Sequence, residues 1–407
     1  MSPEKLQLVP GIGKLPLEWQ ILEADAATLK ISKGTTPPRS EIGSRGKIPF
    51  LRVNNLSFDG VLNDRSDFIF VSPESHNKFL SRSKAYPGDI LMNIVGPPLG
   101  KTALLDEKYE EYNMNQAIVF YRLRSELLHA GYFIAFLNSA NAQDWLQSRS
   151  KKTSGQQNLT IEICKQLPVP VPPLPEQKKI AQILSTWDKA ITTTEKLLAN
   201  SERQKKALMQ QLLTGKKRLM DGNGDRFKGG RKFLKFDEVF VVLNRKSTQI
   251  KSSEYLERGA VPVVDQGQKL IAGYCNNKEV YSDIPVIVFG DHTRCLKWID
   301  FEFCPGADGT QVINTKTIIH NKFGYYLLLN TDIPNLGYSR HMKELKEKEF
   351  KFPLEIEEQQ KIAAVLSASD QEISVIQKNL EALKNEKKSL MQQLLTGKRR
   401  VKIGSNI

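Results

Sequence analysis

The stretches ALMQQLLTGKKR (207–218) and SLMQQLLTGKRR (389–400) are nearly the same twelve letters, written 182 positions apart. The echo grows when followed upstream. Residues 176–218 align with 358–400 without a gap, and about half of the positions are identical. Glu176-Gln177 matches Glu358-Gln359, Lys179-Ile180-Ala181 matches Lys361-Ile362-Ala363, and Asp188 matches Asp370. Two copies make an internal duplication and not a solenoid array.

Each copy predicts one long helix. The apolar seam of the first steps through Ile180, Leu184, Trp187, Ile191, Leu198, Leu208 and Leu212. That of the second steps through Ile362, Leu366, Ile373, Ile376, Leu380, Leu383, Leu390 and Leu394. A 4-3 spacing is a heptad stripe, which buries against another helix. Pro175 suits a first helical turn, and Glu357 and Glu358 suit the positive end of the second helix. Gly215 and Gly397 suit a left-handed exit, with Lys and Arg following. At about 1.5 Å per residue each rod is roughly 58 Å long. The expectation is that the two stripes bury on each other, antiparallel. Thr194, Ser201, Lys205, Ser369 and Lys387 interrupt the seam, and such interruptions fix register and orientation.

Residues 1–165 and 222–350 carry short β-like runs bounded by Gly and Pro, among them 48–53, 89–94, 117–121, 261–264, 284–289 and 310–313. Each segment also holds a short apolar helix candidate, 132–137 and 325–329. Otherwise the two segments diverge. The order is therefore globule (1–165), rod (166–221), globule (222–350), rod (351–407). Antiparallel rods would relate the globules by a pseudo-twofold axis, an α+β arrangement suited to two half-sites about 34 Å apart on duplex DNA.

A length of 407 residues predicts more than one core. There is no run of 18 or more apolar residues and no signal-peptide pattern, so a cytoplasmic place is expected. The net charge of +14 favours a polyanionic partner. Nine of those charges lie on the two repeats, so charge alone does not separate a DNA-binding rod from a solvated one. Cys164, Cys275, Cys295 and Cys304 show no zinc spacing with the histidines, and they read as thiols in a reducing compartment.

Catalytic motifs are missing. Gly96-Pro97-Pro98-Leu99-Gly100-Lys101-Thr102 has three residues between its glycines where a phosphate loop needs four, and its prolines lack the N–H groups such a loop uses. It reads as a tight turn between strands, with Lys101 as a candidate DNA-backbone contact. There is no Asn/Asp-Pro-Pro-aromatic motif for amino methylation and no G-x-G-x-x-G. Asp106-Glu107-Lys108 reads as a solvated loop rather than a nuclease cluster. The run Pro168–Pro175 reads as a stiff approach to the first helix.

The best DNA candidates of the first globule lie in 149–158: Lys151, Lys152, Thr153, Ser154, Gln156, Gln157 and Asn158. Lysines neutralise phosphates, and Gln or Asn pairs two-pronged with adenine. The same stretch also reads as an ordinary polar loop. In the second globule the candidates are Asp291, His292 and Arg294, then Ser339, Arg340, His341 and Lys343. A His beside an Arg serves equally as a structural hydrogen-bonder. Lys33, Thr35, Arg39, Asn54 and Asn55 complete the set.

These residues resemble a family. PVPPLPEQKKIAQIL before one long helix, its weaker echo FPLEIEEQQKIAAVL, and helices closing on LLTGKKR and LLTGKRR are similar to the specificity subunits of type I restriction–modification systems. YPGDILMNIVGPPLGKTALL and GQQNLTIEICKQLPVPVPPL extend the resemblance. It implies two target recognition domains, each reading half of a split DNA sequence. It implies helices that set the gap and dock two methyltransferase subunits. S-adenosylmethionine would belong to those partners; ATP and magnesium would belong to restriction and motor subunits. The chain itself would use no cofactor and no metal, and would be a reader without catalysis. The entry to the second helix departs from the pattern: it lacks the proline-rich run and carries Glu355, Glu357 and Glu358 there. The rival reading is a coiled-coil scaffold whose globules bind protein.

Overall fold

The structure is a computed structural model, and it describes residues 6–63, 67–153, 156–335, 337 and 339–402, with backbone alone at 152, 153 and 156. The chain divides into two compact units, Met1–Glu195 with Asn379–Ile407, and Lys196–Lys378. Both repeats are helices, Leu174–Thr214 of 41 residues and Ile356–Leu395 of 40. Both exits are left-handed, with φ +79° at Gly215 and +68° at Gly397.

Each unit contains the start of one long helix lying antiparallel to the end of the other. In the first unit Ile180 and Leu184 share a core with Leu394 and Leu395. In the second, Ile362 and Leu366 share one with Leu212 and Leu213. Ion pairs repeat with the same offset. Arg400 clamps Glu176 two-pronged at 2.7 and 2.8 Å, and Arg218 clamps Glu358 at 2.6 and 2.7 Å. Lys387 meets Asp188 and Lys205 meets Asp370. The seam interruptions at Lys205 and Lys387 thus hold cross-helix partners, and Ser201 reaches Glu372 at 3.3 Å. The final arginine of each echoed phrase locks onto the glutamate that opens the other helix.

The first unit's main sheet has the strand order Thr102–Leu104, Ile90–Asn93, Ile118–Leu123, Thr28–Lys33, all antiparallel neighbours. The second unit's runs Leu296–Ile299, Val286–Gly290, Thr310–Thr315, Phe240–Val242, again antiparallel. The order is the same: third, second, fourth, first in the chain. A second sheet repeats too. Asn113–Met114 pairs parallel with Ile48–Leu51, as Cys304–Pro305 does with Val261–Val264. The helices Ala130–Leu137 and Asn321–Leu329 follow the main sheet in each. The two segments that diverge in sequence are one topology built twice.

Before each long helix stands a strand. Pro168–Val171 pairs with Gln20–Glu23, and Glu349–Pro353 pairs with Arg231–Lys235. Buried Gln177 then accepts from the His129 N–H at 2.8 Å and donates to the Leu127 and Pro172 carbonyls. Gln359 does the same for His320, Ile318 and Pro353. The proline-rich run is absent from the second approach, where Pro353 stands alone, yet its joint is built from the same bonds. The first unit adds the helix Ala140–Ser148 and a hairpin, Lys151–Thr153 with Gln156–Asn158.

Candidate nucleic-acid interface

In the first unit, register sets which loops meet. Lys33 lies opposite Val119, Asn93 opposite Ile118 and Met92 opposite Thr102. The segments after Lys33, after Asn93 and before Thr102 therefore all leave one end of the sheet. The hairpin joins them through its backbone, with Gln157 opposite Gly96 and Asn158 opposite Val95. Asn93 holds the connection in shape. Its Nδ2 donates to the Pro98 carbonyl at 2.8 Å, and its Oδ1 accepts the Lys101 N–H at 2.6 Å. The stretch read as a polar loop is thus a β hairpin docked on the turn that carries Lys101.

Thr35 N–H donates to the Met114 carbonyl, and Asn115 N–H to that of Leu51, which leads into Arg52–Asn55. Gly34 is needed there, because an added Cβ would lie 2.1 Å from the Asn115 carbonyl oxygen. Lys33, Asn54 and Lys151 are exposed; Thr35, Lys101, Gln157 and Asn158 are half-buried. Arg39 is exposed on the turn Arg39–Glu41, further along. Lys152, Thr153 and Gln156 lie on the hairpin strands, and Ser154 lies outside the described residues.

In the second unit the turn after Gly290 leaves the same end of the matching sheet, and 339–343 packs on it. Asp291 is 3 % exposed and His341 is fully buried. The His341 N–H and Nδ1 both reach the Asp291 carbonyl at 2.8 Å, and Asp291 Oδ1 accepts the Met342 N–H. Asn55, 1 % exposed, accepts the Arg52 N–H at 2.8 Å. All three side chains are buried within the turns that shape this surface. Arg294 takes φ +59°, and its guanidinium donates to the Ile333 carbonyl at 2.9 Å. His292 and Ser339 are half-buried, while Arg340 and Lys343 are exposed.

Sequence reasoning missed the amides that hold this end together. Gln266 accepts the His292 N–H, and Asn244 donates to Gln311 Oε1 at 2.6 Å. Asn93 went unnoticed likewise. The available signal was position: each is a polar amide in or within two residues of a β-like run, as Asn54 and Asn55 are. Among the described residues no group of three His, Cys, Asp or Glu is placed to hold a metal ion. No helix among them is long and apolar enough to cross a membrane.

The family model for the type I restriction modification DNA specificity domain matches residues 26–202 and 230–385. The specificity subunit of the putative type I restriction enzyme MjaX of Methanocaldococcus jannaschii is 25% identical, over 96% of both chains. The MjaVIII specificity subunit of the same organism is 27% identical over 75% of this chain and 76% of its own. Among solved structures, the type I S subunit of M. genitalium matches with a TM-score of 0.60 at 18% identity, over 96% of this chain and 98% of its own.

Proposed function

The chain belongs to the type I restriction–modification DNA specificity family, as a specificity subunit with two target recognition domains, and from that premise we propose how it works. It reads a bipartite sequence in duplex DNA, one half-site per unit, and docks adenine-methyltransferase subunits on its long helices. It performs no chemistry itself and takes no cofactor. S-adenosylmethionine belongs to the methyltransferases, and ATP and magnesium to restriction and motor subunits that join them in the cytoplasm.

One observation carries the reading. Both units bring separate polar loops to the same end of the same sheet, and the residues on those loops differ between units. A shared scaffold positions; different side chains specify. Docking has its own support. The long helices repeat exposed residues that no core requires, Lys206 and Lys388, Gln210 and Gln392. These line matching clefts of about 720 and 560 Å³.

Selection of bound duplexes from a random pool tests the reading. Gln157→Ala with Asn158→Ala should relax preference at one half-site and leave the other intact. Wild-type protein that binds every duplex equally, or a variant that alters both half-sites, would overturn it.

A further inference from the structure

The two units present the same helix joint but differ beside it. In the second unit the Tyr326 hydroxyl donates to Asp370 Oδ2 at 2.5 Å and lies 3.1 Å from Ser367 Oγ. Lys322 sits over the Trp298 and Tyr325 rings, 4.1 and 5.1 Å from their centres. The matching Gln–His bonds align this helix with Ala130–Leu137 in the first unit. Lys322 and Tyr326 there become Gly131 and Ala135, while Ser367 and Asp370 become Ser185 and Asp188. The acceptors are kept, and the ring that would use them is gone.

In its place the first unit has a groove of about 520 Å³. Ala135, Ile134, Leu184 and Met391 line it, with Val61 and Leu104 at the mouth. Val61 is 58% exposed and the adjoining Phe58 45%. Its charged residues are Asp59, Asp106 and Asp188 against Lys387. On a chain of +14 this is an acidic place. Phosphates are repelled there, and an apolar side chain beside a cation is favoured. Lys387 and Met391 also line the repeated cleft, so the groove continues the proposed docking face.

We propose that this groove receives one bulky apolar side chain, flanked by Lys or Arg, from a methyltransferase subunit. The second unit fills the corresponding place with its own Tyr326 and Lys322. The proposal rests on the docking reading and makes the two dockings unequal.

The test titrates the methyltransferase subunit into the full-length chain and counts bound copies by native mass spectrometry. Ala135→Tyr supplies the ring that Asp188 and Ser185 would hold. It should weaken one of the two binding events by ~10-fold or more and leave the other unchanged. Asp59→Lys, at an exposed position, should weaken the same event several-fold, most at low salt. Two unchanged events in both variants overturn the groove while the docking reading stands. A wild-type chain that binds no methyltransferase overturns both. Should Ala135→Tyr fail to fold, Asp59→Lys decides.

Discussion

The strands Ile90–Asn93 and Val286–Gly290 occupy the same place in the two main sheets, yet ILMN and VIVFG share little as text. Glu176-Gln177 and Glu358-Gln359 also occupy the same place, and they are identical. The difference lies in what each position must satisfy. A buried strand needs apolar side chains of roughly the right volume, and many sequences meet that. A buried carboxylate needs one partner at one distance, and a buried amide needs its donors and acceptor matched at once. The joints stayed fixed between the two units, while the sheets drifted and the loops diverged.

The largest expected effect tests the joints. Glu358→Ala leaves the Arg218 guanidinium without its carboxylate and should destabilise the second unit by about 3–5 kcal/mol. Glu176→Ala should cost the first unit less, because Arg400 also pairs with Glu18. Hydrogen exchange resolved by peptide would locate each loss. Equal loosening of both units by either variant would break the comparison.

Gln177→Ala and Gln359→Ala come next, at about 1–3 kcal/mol each, since each strands buried backbone groups. The helix exits should separate the units. An added Cβ at Gly397 would lie 2.3 Å from the Pro16 ring, whereas at Gly215 it meets the flexible Arg231 side chain. Gly215→Ala should cost about 1–2 kcal/mol for its backbone conformation, and Gly397→Ala more, by thermal denaturation.

Acid should reach the first unit sooner. Burial holds His76 and His129 there, and His320 in the second unit, below the ordinary value of 6.5. Such groups bind protons more readily when unfolded. Their contribution is therefore full above pH 6.5 and is lost as pH falls through their lowered folded values. With two such histidines, the first unit should lose protection at the higher pH in exchange measured across that range. Smallest is Lys101→Ala, which should weaken duplex binding evenly across sequences and reduce the salt slope by about 1.

How much was legible follows from the same contrast. The rods could be read because Ile180, Leu184, Ile362 and Leu366 repeat at helical spacing. Their antiparallel pairing could be expected, but not the bonds that enforce it. Nothing in the letters says that Arg400 reaches Glu176 rather than solvent. The common topology of the globules was hidden, because its strands are specified only by burial. The hairpin at 151–158 was hidden for a different reason. KKT and QQN have no apolar alternation, and its pairing rests on backbone contact with Gly96. Burial of a polar side chain was hidden as well, as at Asp291 and His341.

The division of the chain also sets an order of assembly. Lys196–Lys378 is one uninterrupted stretch, and every residue it needs is synthesised before Asn379 is added. The earlier-synthesised unit, by contrast, waits for Leu394, Leu395 and Arg400 to close its core and its clamp. A premature stop just before Leu394 would therefore injure the beginning of the protein and spare its middle.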